Sequence, residues 1–174
     1  MAPITKYRLA LSFFIVALVL SGITAFPLAW ELRLLTEGLG INSSVPPATH
    51  AGISFWLATI DRGLHETYAG YPWMAYGTDW LAFAHIAIAV YFIGPWINPV
   101  KNEWVIQAGL IGCLLVLPLA LICGPLRGIP FYWRLIDCSF GVIGAIPLLC
   151  CLHLTRLMKA APGAVMSNSP LADG

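Results

Sequence analysis

Trp104-Val105-Ile106-Gln107-Ala108-Gly109-Leu110-Ile111-Gly112-Cys113-Leu114-Leu115-Val116-Leu117-Pro118-Leu119-Ala120-Leu121-Ile122 carries no charged side chain, and Gln107 is its single amide. A helix needs about twenty residues to cross a hydrocarbon core, and this run is that long. In lipid the backbone must satisfy its own hydrogen bonds, which leaves a helix or a closed barrel, and the run is too long and unbroken for a barrel strand. It therefore predicts a transmembrane helix. Working outward, Leu9 to Trp30, Trp80 to Ile97 and Ile136 to Leu154 have the same character. The predicted spans are about 9–30, 80–97, 104–122 and 136–154.

The composition agrees. Of 174 residues, 59% are hydrophobic and 10% charged, against about a quarter charged in a soluble domain. Residues 1–159 are expected to form a single transmembrane domain, and the polar, proline-containing stretch 160–174 a flexible tail. The net charge is +1 and no basic stripe is present, so nucleic acid is not an expected partner. The bilayer is.

The five cysteines, Cys113, Cys123, Cys138, Cys150 and Cys151, form no CxxC, CxxCH or zinc-like spacing. That gives no thioredoxin motif, no covalent haem attachment and no metal site. They read as small buried hydrophobes; only Cys123 and Cys138, which bracket one loop, are positioned differently. The N-terminal Lys6 and Arg8 followed by Leu9 to Leu20 imitate a signal peptide, but Ile23 stands where cleavage favours a small residue. The segment is read as a retained first helix continuing through Phe26-Pro27-Leu28-Ala29-Trp30.

Charge orients the spans. With four passes, Lys6, Arg8, Lys101, Arg156 and Lys159 fall on one side, and Arg33, Arg62, Arg127 and Arg134 on the other, where acidic residues dilute them. This places both termini in the cytoplasm. Trp30, Trp73, Tyr76, Trp80, Tyr132 and Trp133 mark the outer interface, Trp96 and Trp104 the inner one. Asn98-Pro99-Val100-Lys101-Asn102 is short enough to make helices two and three antiparallel neighbours. Pro118 and Pro147 are expected to bend their helices.

Between the first two spans, turns at Gly38-Leu39-Gly40 and Pro46-Pro47 precede Ile53, Trp56, Leu57, Ile60 and Leu64 at helical spacing. Asp61, Arg62, His65 and Glu66 are assigned to the other faces. The segment at about 50–68 is read as an amphipathic surface helix. The fold class is thus all-α: a four-helix transmembrane bundle with an extracytoplasmic amphipathic helix between helices one and two.

Polar residues near the spans are the candidate site: Asp79, His85, Arg127, Arg134 and Asp137. Asp79 and Asp137 are expected at helix N-termini, where the unpaired amides favour a carboxylate. One reading has them pair with Arg127 and Arg134 and fasten the outer loops. Another makes the cluster a small polar cavity for an anion or a quinone headgroup, with His85 donating or exchanging a proton. His85 is also the candidate haem ligand, although His153 lies about 24 Å below Asp137 by helical rise and is no partner for it. Small residues at Ala82 and Ala89, at Gly109 and Gly112, and at Gly141, Gly144 and Ala145 predict close helix packing.

The strings Ala75-Tyr76-Gly77-Thr78-Asp79-Trp80-Leu81-Ala82-Phe83-Ala84-His85-Ile86 and Gly124-Pro125-Leu126-Arg127-Gly128-Ile129-Pro130, the latter continuing through Trp133-Arg134-Leu135-Ile136-Asp137-Cys138-Ser139-Phe140-Gly141, resemble an uncharacterised family of small bacterial inner-membrane proteins with four transmembrane helices. The resemblance implies a bacterial cytoplasmic membrane and no activity. The expectation is a non-catalytic membrane subunit or scaffold that meets other membrane subunits through its outer loops. The rivals are a small redox protein associated with quinone or haem and an oligomeric small-solute transporter.

Overall fold

A computed structural model describes residues 2–42 and 45–160; the tail expected over 160–174 lies, from residue 161 on, outside the described residues. The chain is all helical there. The main helices are α1 (Pro3–Ala25), α2 (Leu28–Gly38), α3 (Gly52–Gly70), α4 (Tyr76–Tyr91), α5 (Ile93–Ile97), α6 (Glu103–Pro118), α7 (Gly124–Leu126) and α8 (Phe131–Ala160). Four helical stretches, Pro3–Ala25, Pro72–Ile97, Glu103–Leu126 and Phe131–Ala160, are long and apolar enough to cross a membrane.

Prolines explain where these bounds differ from the sequence expectation. The first helix does not continue to Trp30: it stops at Ala25, and α2 starts afresh after Pro27, whose φ of −87° and ψ of 34° leave the helical region. Proline has no donor to offer the preceding turn, and its ring disfavours a helical conformation at Phe26. The second span breaks at Phe92 between α4 and α5, because Pro95 cannot donate to Tyr91. After Pro118 the third span widens into a π turn over Leu119–Cys123 before reaching Gly124 and Pro125. Pro147, in contrast, lies inside an unbroken α8.

The fourth span starts earlier than expected. Tyr132, Trp133 and Arg134 are not loop residues but the first turn of α8, opened by Trp133 and Arg134 amides donating to the Pro130 carbonyl, each at 3.1 Å.

Contacts divide the chain into two compact units. One comprises the described residues of Met1–Ala17 and Ala89–Gly174, the other Leu18–Ile88. In the first, Tyr7, Leu11, Ile106, Leu148 and Cys151 are fully buried, and α6 lies along α8. A Cβ on Gly141 would sit 2.5 Å from the Cys113 carbonyl oxygen, and one on Gly109 would meet Phe92 and Leu148 at 2.7 and 2.9 Å. Small residues are what let these helices touch. Gly112, grouped with them in the sequence reading, faces open space: a Cβ added there would have nothing within 4 Å.

One end of this unit is polar. Arg8 donates to the Trp96 carbonyl at 3.3 Å with its guanidinium 4.7 Å from the indole centroid, while the indole donates to Ser12 at 3.0 Å. Lys159 pairs with Glu103, which also accepts from Gln107 at 3.1 Å. The start of α1, the end of α5, the start of α6 and the end of α8 therefore share one end of the unit.

In the second unit, Gly22 of α1 lies against α4, where an added Cβ would approach the Ala82 carbonyl and Ile86 at 2.9 Å and His85 at 3.2 Å. Helices α2 and α3 pack on each other. Gly40 ends α2 with a φ of 68°, its amide bonding Glu37 at 3.0 Å and the Ile41 amide bonding Thr36 at 2.8 Å. This is the double hydrogen bond of a Schellman cap, which needs a left-handed residue.

Candidate functional site

The segment between the first two spans is two helices rather than one, and its polar core is the best-built cluster in the second unit. Arg33 and Thr36 lie one turn apart on α2, and Asp61 and His65 one turn apart on α3, so each pair projects from one face of its helix. Thr36 is fully buried and Asp61 is 3% exposed. The assignment of Asp61 to an outer face of α3 is therefore corrected: the buried stripe is Leu57, Ala58 and Asp61, and the carboxylate faces inward.

His65 joins the two helices. Its Nε2 meets Arg33 Nη2, and its Nδ1 lies 2.9 Å from the Asp61 carbonyl and 3.3 Å from Asp61 Oδ1. An arginine has donors only, so Nε2 accepts and the ring proton sits on Nδ1, directed at Asp61. The hydrogen bond goes to the Asp61 carbonyl, and the same nitrogen faces the buried carboxylate at 3.3 Å, a nearby partner of the kind a buried charge requires. Thr36 returns its own hydroxyl to the Arg33 carbonyl at 2.9 Å. The exposed Arg62–Glu66 pair, 2.7 Å apart on α3, contributes only a few tenths of a kcal/mol.

The residues singled out from sequence fall in both units. Asp79 and His85 belong to the second and Arg127, Arg134 and Asp137 to the first. Asp79 occupies the first turn of α4, as expected. Six residues apart, Asp79 and His85 project from different faces of α4. His85 Nδ1 donates within its own helix, to the Leu81 carbonyl at 2.8 Å.

In the first unit, Arg127 is exposed at the end of α7. Its turn closes through Gly128, φ 71°, with the Ile129 amide bonding the Gly124 carbonyl at 3.0 Å. Arg134 folds over that turn: its Cδ lies 2.5 Å from where a Gly124 Cβ would be, and its guanidinium carbon is 5.1 Å from the Phe131 ring centroid. Asp137 is not a helix cap, because α8 begins at Phe131 and places it nearly two turns inside. Within this unit the described residues show no ion pair between Asp137 and either arginine. Arg134 thus latches the turn by packing.

Among the described residues no group of three or more His, Cys, Asp or Glu side chains is placed to hold a metal ion. The described cysteines, Cys123 and Cys138 included, are free thiols. A second feature was not legible in the sequence: Phe26, Tyr76, Asp79, Trp80 and Phe83 line an open groove of about 350 Å³. The signal available was Tyr76, Trp80 and Phe83 at helical spacing, which reads equally as an interfacial belt.

Comparison with known protein families, with curated proteins and with solved structures finds no match to this chain. The chain is a small all-helical protein with four apolar helices of membrane-spanning length.

Proposed function

We propose that residues 1–159 act as a single transmembrane domain, a non-catalytic subunit or scaffold that holds other membrane proteins through its extracytoplasmic surface. The observation that carries this reading is the α2–α3 hairpin. It is fastened internally by Arg33, Asp61 and His65, yet exposes Leu34 and Leu35 on α2, Leu39 just after it, and Ile53 and Phe55 on α3. A rigid element with an outward apolar face suits a contact surface. Arg127, Arg134 and the exposed aromatic rings of Phe131 and Tyr132 supply a second contact region.

The setting is a bacterial cytoplasmic membrane with both termini inside. The bacterial setting is what the family resemblance implies; the orientation is supported by the convergence of Arg8 and Lys159 at one end of the first unit, through Trp96 and Glu103, in line with the positive-inside rule. Gentle detergent extraction from native membranes tests the assignment. The reading predicts a stoichiometric partner that survives purification and is lost from Leu35→Asp or Arg134→Ala protein of unchanged helicity. Partner-free, monodisperse protein from native membranes at native abundance contradicts it.

One observation favours a redox reading as second. His85 spends Nδ1 on a backbone carbonyl at 2.8 Å, the arrangement by which metal-ligating histidines commonly fix Nε2 as the ligand atom. A haem Soret band in the purified protein, abolished by His85→Ala, would put this reading first.

A further inference from the structure

The polar contact between α2 and α3 selects one protonation state. Arg33 Nη2 faces His65 Nε2 across the two helices, and a guanidinium has donors only. The bond therefore uses the Nε2 lone pair, which the neutral imidazole has and the imidazolium lacks. The second ring nitrogen is already the donor, 2.9 Å from the Asp61 carbonyl and 3.3 Å from Oδ1 of its carboxylate.

Protonation acts on these two contacts with opposite signs. At Nε2 it sets donor against donor and cation against cation, so the contact with α2 turns repulsive. At Nδ1 it strengthens the contact with Asp61, because a carboxylate attracts an imidazolium. Asp61 stands one turn before His65 on the same helix, so that gain is kept with or without α2 in place and does not oppose release. Other charged groups do not substitute for Arg33. The elements packed against α3 are α2 and the short turns Pro47–Thr49 and Pro72–Ala75, and neither turn has a titratable side chain. On α2, Glu31 and Glu37 form no ion pair with Arg33 or His65 among the described residues. On α3, Arg62 pairs with Glu66 at 2.7 Å, and the Tyr68 hydroxyl faces Thr78 at 3.5 Å. His50 faces the Asn42 carbonyl at 3.4 Å.

We infer that His65 is a pH-sensitive latch between α2 and α3, closed on Arg33 as the neutral imidazole and opened by proton uptake at Nε2. Histidine is the side chain that changes charge between about pH 5 and 8. The linked form needs the neutral ring, so its stabilisation is present at the upper end of that range and lost as pH falls through it. Release frees the Arg33 guanidinium and loosens the packing that buries Thr36 and Asp61. The inference concerns the hairpin itself and stands or falls apart from the scaffold reading.

Amide exchange of the purified full-length chain in detergent at pH 8 and pH 5, corrected for the intrinsic effect of pH on exchange, tests it. Protection within residues 28–41 and 52–70 is expected to fall about tenfold at pH 5, the scale of one hydrogen bond to a charged group, while α6 and α8 keep theirs. In His65→Gln, whose amide oxygen accepts from Arg33 at either pH, the fall shrinks to within about twofold. Arg33→Met has lower protection already at pH 8 and shows no further fall, whereas His50→Gln keeps the full response. Circular dichroism checks that the variants remain folded. Equal protection of the unaltered protein at the two pH values overturns the inference, and so does an undiminished fall in folded His65→Gln. Nitrogen-15 shifts of the His65 ring give a reading without any variant: a proton on Nδ1 alone is expected at pH 8, and one on Nε2 at that pH contradicts the latch.

Discussion

Asp61 is the residue on which the α2–α3 hairpin turns. A carboxylate 3% exposed is stable only while its hydrogen-bond partners stay in place. Replacing Asp61 by Ala keeps the residue-61 carbonyl that accepts from His65 Nδ1 but removes the buried carboxylate 3.3 Å from that nitrogen, and so loosens the imidazole that links α3 to Arg33. The expected cost is about 2 kcal/mol, read as faster amide exchange and earlier proteolysis within residues 28–70. Glu66→Ala, which breaks the exposed pair with Arg62, should change either measurement by less than about 0.5 kcal/mol. If the two variants behave alike, the buried cluster does not hold the hairpin.

At the level of elements, close approach decides which helices pack. The Gly141 position leaves 2.5 Å to a backbone carbonyl of α6, an atom that cannot rotate away, so Gly141→Ala must push α6 and α8 apart. A loss of about 2 kcal/mol is expected, seen as a lower unfolding temperature in detergent. Gly112→Ala, into open space, should be neutral or slightly stabilising through helix propensity. The existence of the four spans was legible because an apolar run of about twenty residues has few other fates. Their ends were less so. Pro27 and Pro95 override hydrophobicity that continues past them, while aromatic residues after Pro130 continue a helix into what reads as a connector. The candidate site was legible only in part. The place of Asp79 in the first turn of α4 was legible, but the Arg33–His65–Asp61 cluster depends on α2 and α3 meeting, and nothing local to either helix announces the other.

For the molecule as a whole, the account rests on four crossings that put the α2–α3 hairpin on the opposite side from the α5–α6 turn and both ends of the spanning region. Labelling with a membrane-impermeant maleimide tests this parity directly, in a background from which the native cysteines have been replaced. Glu37→Cys, Arg62→Cys and Arg127→Cys should react in intact cells stripped of any outer barrier, while Lys6→Cys, Lys101→Cys and Lys159→Cys should react only after the membrane is permeabilised. Reaction of Glu37→Cys and Lys101→Cys from the same side would contradict the account.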